Sequence, residues 1–356
     1  MAKNKVIISC TKCNKFFHAK CSSITFNQFN KMESWTCSSC IEDFLPFSKL
    51  EDEAFLLTMQ AKDLSFGEHV NLTPSFSIAS LLEKIPGTFN DNTKDYLSDS
   101  VSSKYYTPSD FISSKFTTDS FSVFHMNIAS LSAHIDDLKW LLDTLNHRFD
   151  VVGISETKIR ESTEPLINIK LPGYEFVQIP TKSHFGGVGF FIKEGINYKI
   201  RHDLSKSIFE VSESIFIELT GKSTKNLLVG CIYRHPSSAI DSFIESFLKE
   251  TLTSIGKEKK KCTILGDFNA DLLNVGEHSE TCDFYDILSS FGYKPLIMQP
   301  TRVTSKTATL IDNIFVNDVE TRSSGGNITT SISDHFSQFC FMDIFNRTKQ
   351  RKAPRY

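Results

Sequence analysis

The chain has 356 residues, of which 40% are hydrophobic and 23% charged, a composition that is ordinary for a globular protein with room for two or more domains. No apolar run approaches the roughly 18 to 20 residues of a membrane-spanning helix, and the first residues hold too short an apolar block for a signal peptide. These absences predict an intracellular protein with no membrane partner.

The net charge of −3 hides basic ends around an acidic body: residues 1–50 carry seven Lys or Arg against three Asp or Glu, and residues 346–356 carry five against none. Basic ends attract nucleic acid, whereas an acidic body needs a metal ion to accept a phosphate group.

The amino-terminal segment, residues 1–45, contains five of the nine cysteines. Its spacing is C-x2-C-x4-H-x2-C-x15-C-x2-C. Paired thiolates and an imidazole at such spacings are typical ligands of a tetrahedral Zn²⁺ ion. The pattern therefore predicts a small zinc-finger module. Its candidate ligands are Cys10, Cys13, His18, Cys21, Cys37 and Cys40.

This cluster resembles part of a PHD finger. The segments CTKCNKFFHAKC and WTCSSC match the second, third and fourth ligand pairs of that family, and the first Cys pair is absent. The cross-braced pairing of PHD fingers implies that Cys10, Cys13, Cys37 and Cys40 form one complete zinc site. It leaves His18 and Cys21 as half of a second, defective site. Some PHD fingers bind histone tails, so the resemblance also implies chromatin or a histone tail as a partner.

Residues 46–120 differ in amino-acid composition from the rest of the chain. Residues 71–120 hold eleven Ser and six Thr, interrupted by Pro74, Pro86 and Pro108, and show no sustained hydrophobic period. Such composition is typical of a linker. We therefore expect residues 46–120 to be a mostly disordered Ser/Thr-rich linker, with a short helix around FSIASLLEKI.

From residue 121 onward, apolar runs of strand length alternate with helical stripes. The stripes begin at Ile135, Ile240 and Phe284, and each presents one apolar face to a core. The strands are too numerous and too variably spaced for a simple βαβ repeat. The predicted fold class is therefore α/β, a two-sheet sandwich flanked by helices, over residues 121–345, followed by a basic tail at residues 346–356. The strand-like runs are FSVFHM, DVVGIS, GVGFFI, SIFIEL, LLVGCIY, CTILG and DNIFV.

Polar side chains end or interrupt several of these runs. Any one of them alone is most simply a turn residue. Strand ends at one edge of packed sheets converge, however, so together they can form the polar floor of a single cleft. All-oxygen ligands suit Mg²⁺ or Mn²⁺, and a metal, a carboxylate and an imidazole meet the needs of phosphodiester hydrolysis. The residues are Asn127, Glu156, Tyr233, Arg234, Asp267, Asn269, Asp312, Asp334 and His335.

Eight short motifs carry a more specific resemblance. HMN, ISETKI, GGVGFFIK, CIYRHP, LGDFNAD, PTR, TLIDNIFV and SDHF occur in the order of the endonuclease/exonuclease/phosphatase superfamily. More narrowly, residues 121–345 resemble the apurinic-endonuclease-like domain of non-LTR (LINE-type) retrotransposons. The resemblance implies a nuclear or nucleocytoplasmic, Mg²⁺-dependent endonuclease that nicks DNA and leaves a 3′-hydroxyl. Motifs of the reverse transcriptase that such elements use are not present.

The resemblance implies a metal ion and an attacking water on one side of the site. Glu156 would be the principal metal ligand, with Asn127 beside it and Asp334 close to the metal. Asp267 would orient and activate the water. Asn269 would assist, because its amide can donate and accept without adding charge.

On the other side, the resemblance implies contacts to the phosphate. His335 would donate to a non-bridging oxygen and would be oriented by Asp312. Tyr233 would contact the scissile phosphate or stabilise the leaving oxygen. Arg234 and Arg302 are candidate substrate contacts, with a surface salt bridge as the alternative for each.

Two other functions stay open from the sequence. The first is a different phosphoesterase of the same superfamily, such as a phosphomonoesterase, a sphingomyelinase or an RNA deadenylase. The second is a non-catalytic chromatin adaptor that uses the zinc finger and retains the nuclease fold as a relic. Activity on plasmid DNA, without release of phosphate from small substrates, would separate these functions from DNA nicking.

Overall fold

A computed structural model describes residues 103–116, 120–162, 169–221, 227–304, 307–318 and 322–343, together with the backbone of two short strands near the amino terminus. The chain divides into two compact units, Met1–Ser75 and Phe76–Tyr356. In the first unit, β1 (Ile7–Ser9) pairs antiparallel with β2 (Phe16–His18). The predicted tail at residues 346–356 lies outside the described residues. So do five predicted zinc ligands, Cys10, Cys13, Cys21, Cys37 and Cys40, and the side chain of the sixth, His18.

The second unit contains two seven-stranded mixed sheets. The first sheet has the order β3 (Lys104–Tyr106), β17 (Ser323–Ile328), β18 (Ser337–Met342), β4 (Phe121–Asn127), β5 (Val151–Ser155), β7 (Val188–Lys193) and β6 (Tyr174–Ile179). The second sheet has the order β13 (Lys294–Pro295), β16 (Asp312–Val316), β12 (Cys262–Asp267), β11 (Leu227–Arg234), β10 (Ser212–Leu219) and β8 (Tyr198–Ile200), with β9 (Ser207–Ile208) paired to β10. A separate hairpin joins β14 (Arg302–Val303) and β15 (Ala308–Thr309).

The two sheets pack face to face because successive side chains of a strand point to opposite faces. In β4, Val123 belongs to the apolar cluster shared with the second sheet, whereas Phe124 and Met126 belong to a separate cluster with the helix on the outer face. In β5, Val151 and Val152 divide in the same way. The apolar runs of the sequence are therefore buried on both faces, and the predicted two-sheet fold is confirmed.

Helices cover the outer faces of the sandwich. They are α1 (Pro108–Ser113), α2 (Leu131–Leu145), α3 (Ile240–Phe243), α4 (Lys249–Glu258) and α5 (Ser279–Ser290). A π-helical turn, Ile244–Leu248, connects α3 to α4, and Leu272–Asn274 forms a 3₁₀ turn. Among the described residues, none of the helices combines the length and the apolar character that crossing a membrane requires.

The domain extends further toward the amino terminus than the predicted boundary at residue 121. Residues 103–116, which fall in the predicted linker 46–120, form β3 and α1; β3 pairs in parallel with β17. Phe111 of α1 is buried, and its ring centroid lies 5.0 Å from that of Phe339 and 5.9 Å from that of Phe149. The high Ser/Thr content of this segment favoured a linker in the sequence analysis. Its aromatic side chains, however, pack against the outer face of the first sheet. Residues 46–102 and 117–119 of the predicted linker lie outside the described residues.

Candidate active site

The predicted site residues meet at one edge of the sandwich because of the strand directions. Strands β4 and β5 are parallel and in register from Val123 to Asn127, and β11 and β12 are parallel with Tyr233 opposite Asp267. The antiparallel strand β16 places Asp312 opposite Asp267. The carboxyl ends of parallel strands lie at the same edge, and an antiparallel neighbour begins there. Topology thus brings together side chains that are far apart in the sequence.

Asn127 links the two sheets at this edge. Its amide nitrogen Nδ2 donates to Glu156 Oε1 at 3.0 Å and to Asp267 Oδ2 at 2.8 Å. The Tyr233 hydroxyl donates to the same Glu156 oxygen at 3.3 Å. Asn127 Oδ1 accepts from the backbone N–H of Ala129 at 3.1 Å, so the amide directs its nitrogen, and not its oxygen, toward the carboxylates. In this arrangement Asn127 orients two carboxylates. Its predicted role as a metal ligand would require the oxygen to face them.

Several residues with side chains adopt left-handed backbone conformations around this cluster, among them Glu156, Lys158 and Asn269. The φ angles are 52° at Glu156, 53° at Lys158 and 47° at Asn269. Such conformations cost about 1–2 kcal/mol for most residues, and they persist where the surrounding structure determines them, often at functional sites. The segment after Glu156 is held by two backbone hydrogen bonds, from Thr157 N to Gly187 O at 3.1 Å and from Lys158 N to the neighbouring glycine's carbonyl at 2.9 Å. The backbone therefore presents Glu156 in an otherwise unfavourable conformation.

The Gly-Asp step at the end of β12 depends on the absence of a side chain. Gly266 has φ 153°, and a β-carbon at this position would lie 1.9 Å from the carbonyl oxygen of Ile232 on β11. Only glycine allows the two strands this approach. Asp267 follows directly and is buried, and its Oδ1 accepts from Asn269 N at 2.9 Å. Gly266 thus allows the close strand pairing that delivers Asp267 to the site.

His335 and Asp312 form a buried pair beside Asp267. Imidazole Nδ1 lies 2.8 Å from Asp312 Oδ2, which also accepts from Thr301 Oγ1 at 2.6 Å. The Ser333 hydroxyl accepts from His335 N at 3.2 Å and donates to the carbonyl of Asn127 at 2.6 Å. The segment that carries the imidazole is therefore attached to the end of β4.

The surroundings of Asp267, His335 and Asp312 shift the pKa of each side chain. Burial and, next, the negative charge of Asp312 raise the pKa of Asp267 to about 7. Burial by itself lowers the pKa of His335, but the attraction of Asp312 and Asp267 outweighs it and raises that pKa to about 9. Burial also acts to raise the pKa of Asp312, yet the imidazole charge and hydrogen bond lower it overall. At neutral pH the site holds a protonated imidazole beside a carboxylate that can exchange a proton.

The same three side chains form a compact cluster of potential metal ligands. One donor atom each from Asp267, Asp312 and His335 lies within 4.8 Å of the others. Asp312 Oδ1 is buried without a hydrogen-bond partner among the described residues. On the other side of Asp267, Glu156 Oε2 has a cation at 3.6 Å, the ammonium group of Lys158. A divalent cation would fit among the oxygen atoms of these carboxylates.

Arg234 has a different role from the predicted substrate contact. Its buried guanidinium donates from Nε to Phe268 O at 2.6 Å and from Nη2 to Asn269 O at 2.5 Å. Its Nη1 donates to the carbonyls of His235 and Ser238. Four of its five N–H groups can thus be satisfied by backbone carbonyls. Arg234 therefore holds the segment after Asp267 in place and has little capacity left for a phosphate.

Arg302 and Asp334 are joined in one ion pair, although the sequence predicted separate roles for them. Arg302 Nε and Nη2 lie 2.7 and 2.6 Å from Asp334 Oδ2, and the two side chains are 46% and 33% exposed. Asp334 Oδ1 lies 3.8 Å from His335 Nε2. The partly exposed pair therefore lies next to the imidazole of His335. The metal-ligand role of Asp334 and the phosphate contact of Arg302 stay predictions.

Two buried residues near the site were missed from the sequence. Glu213 on β10 and His235 after β11 pair with each other, with His235 Nε2 at 3.0 Å from Glu213 Oε1. His235 lies within the quoted motif CIYRHP. Glu213 precedes the apolar run SIFIEL, and a carboxylate at the start of a buried strand was the signal that could have identified it.

Comparison with known proteins agrees with this fold. A model of the Endonuclease/Exonuclease/phosphatase family matches residues 126–335, more than half of the chain, and a PHD-finger model matches residues 1–40. No curated protein matches the chain. The crystal structure of the AP endonuclease LMAP from Leishmania major is similar, with 13% identity, 76% of this chain and 99% of that chain covered, and a TM-score of 0.53.

Two further solved structures are similar over somewhat less of the chain. An endonuclease/exonuclease/phosphatase family protein from Bacteroides thetaiotaomicron has 18% identity, covers 63% of this chain and 97% of its own, and has a TM-score of 0.46. The catalytic domain of APE2 from Xenopus laevis has 16% identity, 62% and 91% coverage, and a TM-score of 0.46. The family model spans the polar residues of the site from Asn127 to His335, and the chain belongs to the endonuclease/exonuclease/phosphatase family.

Proposed function

We propose that residues 103–343 form a Mg²⁺-dependent phosphodiester hydrolase, which also accepts Mn²⁺, and that its reaction is the nicking of DNA to leave a 3′-hydroxyl. The observation that carries the proposal is the position of Asp267. One of its oxygens is linked through the Asn127 amide to Glu156, and the carboxylate lies in the compact cluster with Asp312 and His335. A potential base (Asp267), a potential cation ligand (Glu156) and a proton donor (His335) thus lie close together.

The donor set fits a divalent cation. Glu156 and Asp267 are carboxylates that share one amide donor, and oxygen ligands are those that Mg²⁺ prefers. Glu156 would be the principal ligand. When bound, the cation would neutralise charge on the phosphate oxygens and make water more acidic.

Asp267 would take a proton from the attacking water. A pKa near 7 suits a general base at neutral pH, because a large fraction of the Asp267 carboxyl groups is then ionised and the ionised form still accepts a proton readily. Asn269 would hold the same water through its amide oxygen, since its amide nitrogen donates to the Arg234 carbonyl at 2.7 Å.

The remaining groups would stabilise the phosphate and the leaving oxygen. Asp312 occupies Nδ1 of His335, which leaves Nε2 to donate to a non-bridging oxygen of the phosphate. Burial and the nearby carboxylates raise the pKa of Tyr233, so its hydroxyl stays protonated. Its one hydrogen, which Glu156 accepts in the structure, would turn to the leaving oxygen when the substrate binds. Both side chains are in position before the substrate arrives.

The retrotransposon-type endonuclease is the specific form of this activity that we propose, acting on nuclear DNA. Support comes from motifs such as CIYRHP, which spans the end of β11 and the residues after it, and TLIDNIFV around β16. Another phosphoesterase activity of the same family is the alternative. No observation favours that alternative specifically.

Nicking of supercoiled plasmid in the presence of Mg²⁺ tests the proposal. Wild type should convert supercoiled to open-circular DNA, EDTA should stop the reaction, and DNA polymerase should extend the nick if it carries a 3′-hydroxyl. Asp267→Ala and His335→Ala should lose at least about 100-fold in rate. The exposed residues Asp137 and His202 provide matched controls, Asp137→Ala and His202→Ala. Nicking by wild type that is no faster than by the two site variants, or release of phosphate from small phosphomonoesters in its place, would count against a DNA endonuclease.

We also propose that the finger at residues 1–45 binds Zn²⁺ through Cys10, Cys13, Cys37 and Cys40, and contacts chromatin or a histone tail. The match of a PHD-finger model to residues 1–40 supports this. Metal analysis of the purified protein should find about one zinc per chain, reduced in Cys37→Ser. Binding to histone-tail peptides by wild type, lost in the same variant, would support the partner; zinc without peptide binding would contradict it.

A further inference from the structure

A buried acid–imidazole pair lies next to the proposed site without belonging to it. Glu213 and His235 have side chains that are 2% and 5% exposed, and Nε2 of the imidazole lies 3.0 and 3.1 Å from the two carboxylate oxygens. Nε2 must carry the hydrogen of this contact because a carboxylate only accepts. The Thr181 hydroxyl donates to Glu213 Oε1 at 3.0 Å. A buried carboxylate is costly unless it is paired, so such a pair requires an explanation.

The pair contacts the segment of residues 181–187, which we call the glycine loop. At Gly186 the φ angle is 89°, and a β-carbon there would lie 2.6 Å from Glu213 Oε2. Thr181 Oγ1 also lies 2.7 Å from the carbonyl oxygen of Phe185, so its single hydrogen is shared between that carbonyl and Glu213. The carboxylate therefore packs directly against the backbone of the glycine loop.

The glycine loop in turn holds the residues that follow Glu156. The carbonyl of Gly187 accepts from Thr157 N at 3.1 Å, and that of Gly186 accepts from Lys158 N at 2.9 Å. Glu156 itself has φ 52°, a conformation that its own side chain does not favour. These backbone bonds are one connection from Glu213 to the Glu156 carboxylate.

A second connection passes through an aromatic contact. The rings of His235 and Tyr233 meet edge to face, with centroids 5.1 Å apart and an interplanar angle of 72°. The Tyr233 hydroxyl donates to Glu156 Oε1 at 3.3 Å. The imidazole therefore limits the position of a ring whose hydroxyl contacts the proposed metal ligand.

We infer that Glu213 and His235 are positioning residues that hold the Glu156 carboxylate in the geometry needed to bind the divalent cation. They act through the glycine loop and through Tyr233, and neither contacts the cation or the DNA. This inference rests on the proposed function, because Glu156 is the ligand assigned there. Groups that orient metal ligands typically change metal affinity by about 10-fold to 100-fold when they are removed.

Direct binding of Mn²⁺ to the protein, measured by calorimetry and by the electron paramagnetic resonance of the free ion, tests the inference. Glu213→Gln keeps the size of the side chain but removes its charge. Glu218→Gln is the matched control, because Glu218 lies on the same strand, is fully buried and pairs with Lys199 and Lys260 at 3.0 and 2.6 Å. We expect Glu213→Gln to weaken Mn²⁺ binding about 10-fold to 100-fold. Glu218→Gln should lower the melting temperature and leave Mn²⁺ affinity unchanged.

Two variants of the imidazole keep the test decisive if Glu213→Gln folds poorly. His235→Gln retains an N–H that can donate to Glu213, whereas His235→Ala does not. Mn²⁺ affinity should fall in His235→Ala and recover in part in His235→Gln. Equal Mn²⁺ affinity in wild type, Glu213→Gln and His235→Ala would overturn the inference, as would an equal loss in Glu218→Gln.

Plasmid nicking separates this inference from the proposed function. A wild type that nicks DNA, with Mn²⁺ affinity insensitive to Glu213, leaves the proposed function intact and rejects the positioning role. A wild type that binds Mn²⁺ in a manner that depends on Glu213 and Glu156, yet does not nick DNA, supports the positioning role and rejects the proposed function. Absence of any Mn²⁺ binding rejects both.

Discussion

The imidazole Nδ1 of His335 lies 2.8 Å from Oδ2 of Asp312, and both side chains are buried at the edge where the two sheets meet. This contact orients the ring and opposes the effect of burial on its pKa, which rises to about 9. The same ionised carboxylate adds to the effect of burial in raising the pKa of Asp267 to about 7. Asp312 therefore raises the pKa of both side chains, which keeps His335 protonated as the proposed donor and lets Asp267 act as the proposed base near neutral pH.

The pH dependence of nicking should follow from this contact. If Asp267 is the base and His335 the donor, kcat/KM should rise with pH through about 7, or lower with a cation bound, and fall through about 9. In Asp312→Asn the ring loses its main attraction, so the alkaline limb should move down toward the ordinary imidazole pKa of 6.5. Initial rates from pH 5 to pH 10 measure both limbs. An alkaline limb at the same pH in wild type and Asp312→Asn would contradict the assignment of that limb to His335.

Asp267→Asn should stabilise the protein while it abolishes nicking. The folded pKa of Asp267 lies above its ordinary value of 3.8, so the folded state holds the proton more tightly and loses stability as pH rises from about 4 to about 7. Removal of the charge should add roughly 1 kcal/mol or more at pH 8, which is about 2–4 °C in melting temperature. Thermal unfolding of both proteins at pH 8 and pH 4 tests this, with the gain expected at pH 8. A variant that melts below wild type at pH 8 would show that hydrogen bonds to the ionised carboxylate outweigh its burial.

Arg234→Lys should destabilise the site although the substitution keeps the positive charge. A lysine ammonium cannot reach the four carbonyls that the guanidinium contacts, and each buried carbonyl left without a donor costs about 1–3 kcal/mol. We expect a loss of roughly 2 kcal/mol or more in the free energy of unfolding, and slower nicking because Asn269 is held by the same segment. Arg302→Lys is the control, since its exposed ion pair is worth at most about 1 kcal/mol. Equal stability of the two variants in urea unfolding would argue against the structural role of Arg234.

Phe111→Ala should show that residues 103–116 belong to the domain. The ring packs against Phe339 and Phe149, and removal of a buried phenylalanine costs about 3–5 kcal/mol. The neighbouring Ile112 is 48% exposed, so Ile112→Ala should cost much less. Urea unfolding followed by circular dichroism compares the two variants. Similar small losses in both would mean that α1 contributes little to the stability of the sandwich.

The pattern of apolar and polar residues predicted the two-sheet fold, and the resemblance of short motifs to the family supplied the proposed side chains of the site. Hydrophobic period is a local property, so runs such as CTILG identify strands without knowledge of their neighbours. The eight motifs around those strands pointed to the family, and the structure brings Asn127, Glu156, Tyr233 and Asp267 into contact. Local pattern therefore identified these strands, but it assigned residues 103–116 to a linker although they form β3 and α1.

The roles of individual polar groups depended on partners that are distant in the sequence. Asn127 and Asp267 are 140 positions apart, and their contact shows that the amide presents its nitrogen to the carboxylates. Arg234 stands in the same motif as Tyr233, yet its guanidinium is used by backbone carbonyls. Neither outcome follows from composition or spacing, because a hydrogen bond depends on the position and direction of both atoms.

By itself, the sequence indicated seven of the strands and the polar residues that end or interrupt several of them. Only the tertiary structure decided that Glu213 and His235 are paired behind the site, that Arg302 and Asp334 form one ion pair, and that residues 103–116 complete the first sheet. The physical reason is that strand register and sheet packing set the distances between remote side chains. Those distances determine whether a charged group binds a ligand, a neighbouring side chain or the backbone.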